Sequence, residues 1–227
     1  SYHPNPEPWF AKKEGGPVID MGPYYLTALV NLLGPAKEVS GSIMRGVNYR
    51  TIGIGPKKGK NFKVECPTTY LSTLVFKNNT IIRLTLSFDV IAHKRNHIEL
   101  YGNKGSLIVP DPNMFGGSVY TCKKMGNSWK KYKTEKMLLG KINIRTKSLR
   151  ANESPTNANY RGAGLAEMAY CIENKKKHRC SGELSLHVLD IIQSTMKACK
   201  TGKKQKIKTI CKIPKRFTEQ EVRKLLN

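Results

Sequence analysis

Acidic residues are scarce in this chain: its 227 residues carry 16 Asp and Glu against 40 Lys and Arg, a formal charge of +24. Arginine is scarce too, at 10 of those 40 cations. Its planar fork is the better reader of phosphates and bases, and no aromatic–basic platform or DNA-binding helix pattern surrounds the lysines. They gather in Lys57-Lys58-Gly59-Lys60, Lys123-Lys124, Lys130-Lys131-Tyr132-Lys133, Lys175-Lys176-Lys177 and Lys203-Lys204-Gln205-Lys206, where loops and tails are expected. The charge therefore reads as a solvated surface that governs solubility, and nucleic acid is not an expected partner.

Other absences narrow the class further. No run of about 18 apolar residues exists, so no spanning helix and no membrane partner are expected. The start, Ser1-Tyr2-His3-Pro4, has no initiating Met, basic n-region or apolar h-region; it reads as a piece of a longer chain without a visible signal peptide. The six cysteines (Cys66, Cys122, Cys171, Cys180, Cys199 and Cys211) form no Cys-x-x-Cys pair and no Cys/His metal spacing. Isolated thiols in a cytoplasmic protein, with no metal site, are the expectation. The sequons Asn78-Asn79-Thr80 and Asn152-Glu153-Ser154 then carry no meaning. Hydrophobic residues at 39% and charged ones at 25% put the chain in the globular range and not the disordered one.

Along the chain, residues 1–16 are rich in Pro and Gly and read as an irregular lead-in. An apolar segment from Pro17 to Leu33 stops at Gly34-Pro35 as a helix would. Strands are expected at Glu38–Val47, Asn61–Cys66, Thr68–Lys77, Thr80–Asp89, Asn96–Gly102, Ser106–Val109 and Gly117–Lys123. Asn78-Asn79 tolerates positive φ and predicts a hairpin, as does Tyr101–Ser106. Residues 140–160 are polar and irregular. Helices are expected at Gly164–Asn174 and Gly182–Cys199, the latter with Leu184, His187, Val188, Ile191 and Ile192 in register. Lys206–Cys211 reads as a returning strand and Phe217–Leu226 as a short tail helix. This order defines an α+β layer architecture and not a βαβ repeat.

The most informative segment is Gly15 to Pro35. Asp20, Tyr24, Thr27 and Asn31 stand at i, i+4, i+7 and i+11, one stripe of a helix that is otherwise nearly all apolar. A helix apolar on most sides is buried, so its polar stripe faces a partner or a cavity. Asp20 also lies near the helix start, where the helix dipole favours a carboxylate. Pro23 either opens the helix after Gly22 or kinks one begun at Pro17. Periodicity leaves the stripe open between a structural cap and a site.

The string Gly15-Gly16-Pro17-x-x-Asp20-Met21-Gly22-Pro23-Tyr24-Tyr25-Leu26, with Leu29, Leu32, Leu33, Gly34 and Pro35, resembles the start of the C-terminal domain of the Gfo/Idh/MocA oxidoreductases. The resemblance extends to His3-Pro4-Asn5-Pro6, His97–Leu107, Pro110–Asn113, Tyr160-Arg161-Gly162, Met168-Ala169 and Gly182–Leu189. It runs in consistent order from about residue 3 to residue 213. What it implies is a domain of residues 1–213 built as an open, mostly antiparallel β-sheet with helices on one face, and a basic tail, 214–227, with a short helix. The family joins such a domain to an N-terminal Rossmann domain that binds NAD or NADP. No strand–GxGxxG–helix unit exists in this chain; Gly53–Gly59 imitates one but joins two strands, contains Pro56 and opens no helix. The implied enzyme transfers a hydride between nicotinamide and a secondary alcohol carbon of a sugar or polyol. The fragment alone is expected to be inactive and to bind no cofactor.

The family's helix carries an Asp and, four residues on, a His that serves as acid/base beside a Lys of the Rossmann domain. Asp20 matches the Asp; Tyr24 occupies the His position. Tyr24 is then a proton donor or substrate hydrogen-bonder, or it merely packs. Arg161 reaches a sugar hydroxyl or carboxylate, or makes a surface pair. His3, His93 and Trp9 are further substrate-binding candidates, and Trp9 and Phe10 serve equally to pack the lead-in. His187, among Leu184, Val188 and Ile191, reads as a satisfied core histidine. Family members commonly self-associate through the open sheet, so Tyr70, Ser72, Leu74 and Phe76, and Ile82, Leu84, Leu86 and Phe88, are expected to offer two apolar or mixed faces for a homo-oligomer. The alternative is a non-catalytic binding or scaffolding module whose basic surface meets a polyanion.

Overall fold

A computed structural model describes residues 3–123, 125, 128–143 and 158–226. Most of the irregular stretch 140–160 thus lies outside the described residues. The helices are Glu7–Phe10 (α1), Pro17–Asp20 (α2), Gly22–Leu33 (α3), Ala163–Glu173 (α4), Gly182–Thr201 (α5) and Glu219–Leu226 (α6). The strands are Ala36–Met44 (β1), Tyr49–Thr51 (β2), Asn61–Lys63 (β3), Thr69–Phe76 (β4), Ile81–Ser87 (β5), Ile98–Gly102 (β6), Gly105–Val109 (β7), Ser118–Cys122 (β8), Lys130–Lys133 (β9) and Gln205–Lys206 (β10). Every pairing between these strands is antiparallel. The α+β, antiparallel expectation holds, with one refinement. The strands form three sheets, ordered β10-β1-β4-β5, β2-β3 and β6-β7-β8-β9. Two compact units contain them, residues 1–92 with 181–214, and 93–180 with 215–227.

In the first unit, alternation along β4 sends Tyr70, Ser72, Leu74 and Phe76 inward, where all four are buried. Their cover is α5, whose Leu184, Val188, Ile191, Ile192 and Ala198 are buried along one side. Each such aliphatic side chain contributes roughly 1.5–3 kcal/mol on burial. The approach is close: a Cβ on Gly41 of β1 would stand 2.7 Å from the Cys199 sulfur, so only glycine fits there. Lost hydration pushes the Cys199 thiol up to about 11 and the Tyr70 phenol beneath it up to about 12. The hairpin from β4 to β5 turns as expected, with Asn79 at φ 65 and the Asn78 carboxamide accepting from the Thr80 amide.

Part of the surface expected for self-association is taken up within the unit. The face formed by Tyr70, Ser72, Leu74 and Phe76 is spent inside the unit, Leu86 is buried with it, and Phe88 packs on Phe10. The opposite face is mixed: Leu71 and Thr73 of β4 lie beside Thr85 and Arg83 of β5 and Ser42 and Ser40 of β1.

His187 is fully buried and ties three distant segments together. Its Nε2 accepts from the Ala36 amide at 3.0 Å, which leaves the proton on Nδ1, 2.9 Å from the Thr209 hydroxyl. The Asp190 carboxylate accepts that hydroxyl and the amides of Lys208 and Thr209. Here the returning strand departs from expectation. It pairs with β1 at Gln205 and Lys206, the Ile207 amide still donates to the Lys37 carbonyl, and the amides of Lys208 and Thr209 then turn to the helix carboxylate of Asp190. A second cluster, Phe10, Val64 and Cys66 with Trp9, Phe62 and Phe88, holds the lead-in against β3. Above it Arg50 pairs with Asp89 at 2.6 Å, and Asp89 also accepts from the Thr68 and Thr69 hydroxyls. These bonds to the charged form hold the Asp89 carboxyl below its usual range against the opposing effect of burial.

In the second unit β6 to β9 form a meander, and all four residues of β9 are exposed. The expected tail helix is docked. Arg179 bonds the buried Glu167 of α4 at 2.9 Å and Glu221 of α6 at 2.9 Å, donates to the Lys215 and Arg216 carbonyls, and lies 3.9 Å from the Phe217 ring centroid. Glu221 and Thr218 bond each other's amides in a capping box, and these bonds with Arg179 hold the Glu221 carboxyl at about 2.

Two outcomes are expected. Burial lowers the His187 pKa, so the unfolded chain binds the extra proton first and stability falls as pH drops below the ordinary value of about 6.5. Thermal denaturation should show the melting temperature falling between about pH 7.5 and 5.5, with a smaller fall in His187→Gln. Arg179→Ala strands the Glu167 carboxylate and should cost about 3 kcal/mol. It should also speed amide exchange across 215–226, and unchanged exchange would refute the docking role.

Candidate functional site

The path to the site begins with the lead-in. The Pro6 carbonyl accepts the amides of Trp9 and Phe10, each at 3.1 Å, which closes α1. The Trp9 carbonyl in turn accepts the Gly16 amide at 2.8 Å and the Cys66 thiol at 3.3 Å. A Cβ on Gly15 would lie 2.5 Å from that carbonyl, and Gly16 has φ 106, so the Gly-Gly pair is what lets the chain pass Trp9. The Gly16 carbonyl then accepts the Asp20 amide at 3.2 Å. Lead-in and site helix are therefore one hydrogen-bonded unit.

Both sequence readings of Pro23 contain part of the answer. Pro17 opens α2, the helix breaks at Met21, and Pro23 lies in the first turn of α3. Asp20 ends α2, and Met21, not Asp20, is the N-cap of α3. Leu26, Leu29 and Val30 fill the core, while Tyr24 is 49% exposed, Thr27 is half-buried and Asn31 exposed. The polar stripe thus lies on the outer side of the first unit and not in its interior.

Of the predicted residues, His3 and Trp9 are in contact here, and Asp20 and Tyr24 stand further along the chain on α2 and α3. The His3 ring packs edge-on against Trp9 with centroids 6.2 Å apart, and its Nδ1 accepts the Asn5 amide at 3.1 Å. Asp20 is half-buried; removal from water raises its carboxyl pKa, and the charge of His3 opposes that rise. Tyr24 follows on the first turn of α3. His93 and Arg161 belong to the second unit. His93 is exposed and lies 6.1 Å from His97, ring to ring, while His97 meets Asp111 at 3.4 Å. The Arg161 guanidinium donates to the Asn113 carbonyl at 3.0 Å, which spends part of its donor set on the fold. His187 is the core histidine expected of it. Sequence reading missed Arg179 with Glu167 and Glu221, although Thr218-x-x-Glu221 carries the capping-box signature.

A helix-covered antiparallel sheet with a polar stripe on its leading helix is a fold that this chain shares with solved oxidoreductases. An oxidoreductase from Agrobacterium radiobacter, solved with NAD+, L-tartaric acid and magnesium, matches at TM-score 0.56 and 11% identity, over 84% of this chain and 48% of that one. Levoglucosan dehydrogenase matches at TM-score 0.59 and 13% identity, over 85% and 51%. The aldose–aldose oxidoreductase from Caulobacter crescentus, solved with glycerol, matches at 0.58 and 17%, over 90% and 52%. The chain spans about half the length of these solved structures. No curated protein matches its sequence.

In sequence, residues 1–108, just under half of the chain, match the GFO/IDH/MocA C-terminal domain. No helix among the described residues is long and apolar enough to cross a membrane.

A carboxyl whose pKa is raised destabilises the fold at neutral pH, where it is charged, and is relieved as pH falls. Asp20→Asn should therefore raise the melting temperature near pH 7 by a degree or two. A fall instead, read by calorimetry, would show that the carboxylate is a structural cap.

Proposed function

We propose that this chain is the substrate-side domain of an NAD(P)-dependent sugar or polyol dehydrogenase whose dinucleotide-binding domain lies outside these 227 residues. The observation that carries the reading is the half-buried Asp20 carboxyl, raised in pKa, on the helix that bears the family's motif. Support also comes from fold neighbours that are oxidoreductases, one solved with NAD+. Nicotinamide would supply the hydride acceptor; the residues of this chain bind and orient the sugar. Asp20 accepts a hydrogen bond from a substrate hydroxyl, and its reduced hydration strengthens that bond. Tyr24, half-exposed beside it in sequence, offers a phenol to a second hydroxyl. His3 and Trp9, packed edge-on, are proposed as further substrate contacts, and Trp9 gives an apolar surface for a sugar ring. His93 and Arg161 belong to the second unit and are proposed as substrate contacts of that unit by itself. Of these, Arg161 is the less available, because it already bonds Asn113. Self-association, if through the main sheet, would use the mixed face with Leu71, Thr73 and Arg83, since the apolar one is filled.

The test is expression of the complete open reading frame, a binding measurement with NAD and NADP, and a screen of sugars and polyols for nicotinamide reduction. Dinucleotide binding and turnover are expected, with Asp20→Ala lowering kcat more than about tenfold and Tyr24→Phe raising KM about tenfold. Full-length protein that binds no dinucleotide would remove the dehydrogenase reading. Undiminished turnover in both variants would show the stripe to be structural.

A further inference from the structure

Resting on the dehydrogenase reading above, we propose that the loop between β7 and β8 gathers a carboxylate subsite from Arg161 and His93, and that the substrate is an acidic sugar, an aldonate or a uronate. Direct contacts within the second unit join the two residues. The Arg161 guanidinium donates to the Asn113 carbonyl at 3.0 Å, and the Asn113 amide donates to the Asp111 carboxylate at 3.0 Å. The other Asp111 oxygen meets His97 Nε2 at 3.4 Å, and the His97 ring lies 6.1 Å from the ring of His93. The loop that links them is tightly closed. A Cβ on Gly117 would stand 2.7 Å from Pro110, and the Thr134 hydroxyl donates to the Gly117 carbonyl at 2.6 Å. The segment that delivers Arg161 is braced as well. Ala158 bridges Phe115, and the Asn143 carboxamide bonds both the carbonyl and the amide of Asn159. The Tyr160 hydroxyl donates to the Lys141 carbonyl, and its ring packs on Phe115 at 5.9 Å. All this bracing ends on an exposed guanidinium that spends one donor on the fold and has no other partner among the described residues. His93 is exposed too, and among the described residues it makes the ring contact and no hydrogen bond. A planar fork fixed in advance, with N–H groups to spare, matches a carboxylate edge to edge at little entropic cost. Lys94 and Arg95, next to His93 in the chain, are exposed and add positive charge. The opposing charge is Asp111, which repels a phosphate dianion more than a single carboxylate.

Binding is read on the 227-residue chain at pH 7 and low salt, from NMR shifts of the Arg161 side chain and the His93 ring. The probes are D-gluconate, D-glucuronate, D-glucose and inorganic phosphate. Both sugar acids should bind at least about fivefold more tightly than glucose or phosphate. Arg161→Gln should abolish that preference, and Arg161→Lys, which keeps the charge without the fork, should keep part of it. His93→Gln, outside the braced segment, should weaken both sugar acids about threefold. Sugar acids that bind no better than glucose, or equally well to wild type and Arg161→Gln, overturn the subsite. Phosphate binding more tightly than the sugar acids overturns its assignment to a carboxylate. In the full-length enzyme, Arg161→Gln should raise KM for the acidic sugar about tenfold with kcat nearly unchanged. Full-length protein that binds no dinucleotide would remove the dehydrogenase reading, while a preference for sugar acids in the 227-residue chain would still uphold the subsite.

Discussion

The first unit depends on one neutral imidazole. His187 must accept from Ala36 and donate to Thr209 at once, and only the uncharged ring can do both. Burial enforces that state by lowering its pKa. The three segments it joins are 151 residues apart at one contact and 22 at the other, so hydrophobic contact alone would leave their register loose. Ala36 opens β1 two residues after Gly34, whose amide closes α3 on the Val30 carbonyl. Anchoring Ala36 therefore also anchors the end of the helix that carries Tyr24. The fold and the candidate site share this one support.

The site end of the same helix is arranged by backbone and not by side chains. Trp9, Gly16 and Asp20 are linked carbonyl to amide, and glycine stands at 15 and 16 because a Cβ on Gly15 would meet the Trp9 carbonyl and φ at Gly16 is positive. Cys66 adds a weak bond to the same carbonyl from beneath. The result is a helix start whose position is set by the lead-in before it and by the strand region below it. Small changes in the Phe10, Val64 and Cys66 cluster would thus be felt at Asp20, since close-packed interiors transmit displacement.

What could be read from residues alone was whatever has a local cause. Period-two alternation exposed β4 and β5, Asn78-Asn79 the hairpin, Gly34-Pro35 the end of α3, and Ser181 with Gly202 now explain the ends of α5. Hidden were features decided by distant partners. β2 and β9 are three and four residues of Tyr, Arg, Thr and Lys, and nothing in their polarity announces a strand until β3 and β8 lie beside them. The returning strand leaves β1 after Ile207, where Asp190, on another element, takes the amides of Lys208 and Thr209. Which face of β4 is covered was likewise invisible: alternation shows that the faces differ, and only α5 shows which one is filled. Asp20 and Tyr24 were proposed from the motif, whereas the close pass of the lead-in at Gly15 and Gly16 became visible only in the fold.

The charge of +24 and the length of 227 residues point in different directions, and the structure favours the length. Lysines at 57–60 and on β9 are exposed, as a solvated surface would have them. The length matches one of the two halves of oxidoreductases that share its fold at 11 to 17% identity. Identity that low preserves sheet, helix cover and core volume, because many apolar sequences pack one backbone. It does not by itself preserve a site. Elsewhere in the chain, carboxylates withdrawn from water are compensated: Asp89 by Arg50 and two hydroxyls, Asp190 by two amides and two hydroxyls, Glu167 by Arg179. Their Asp members are held below the ordinary range, as groups that stabilise a fold should be. Asp20 is shifted the other way. A carboxyl shifted upward by burial costs stability at neutral pH, and that is the ground on which Asp20, and not the others, is proposed to meet a substrate.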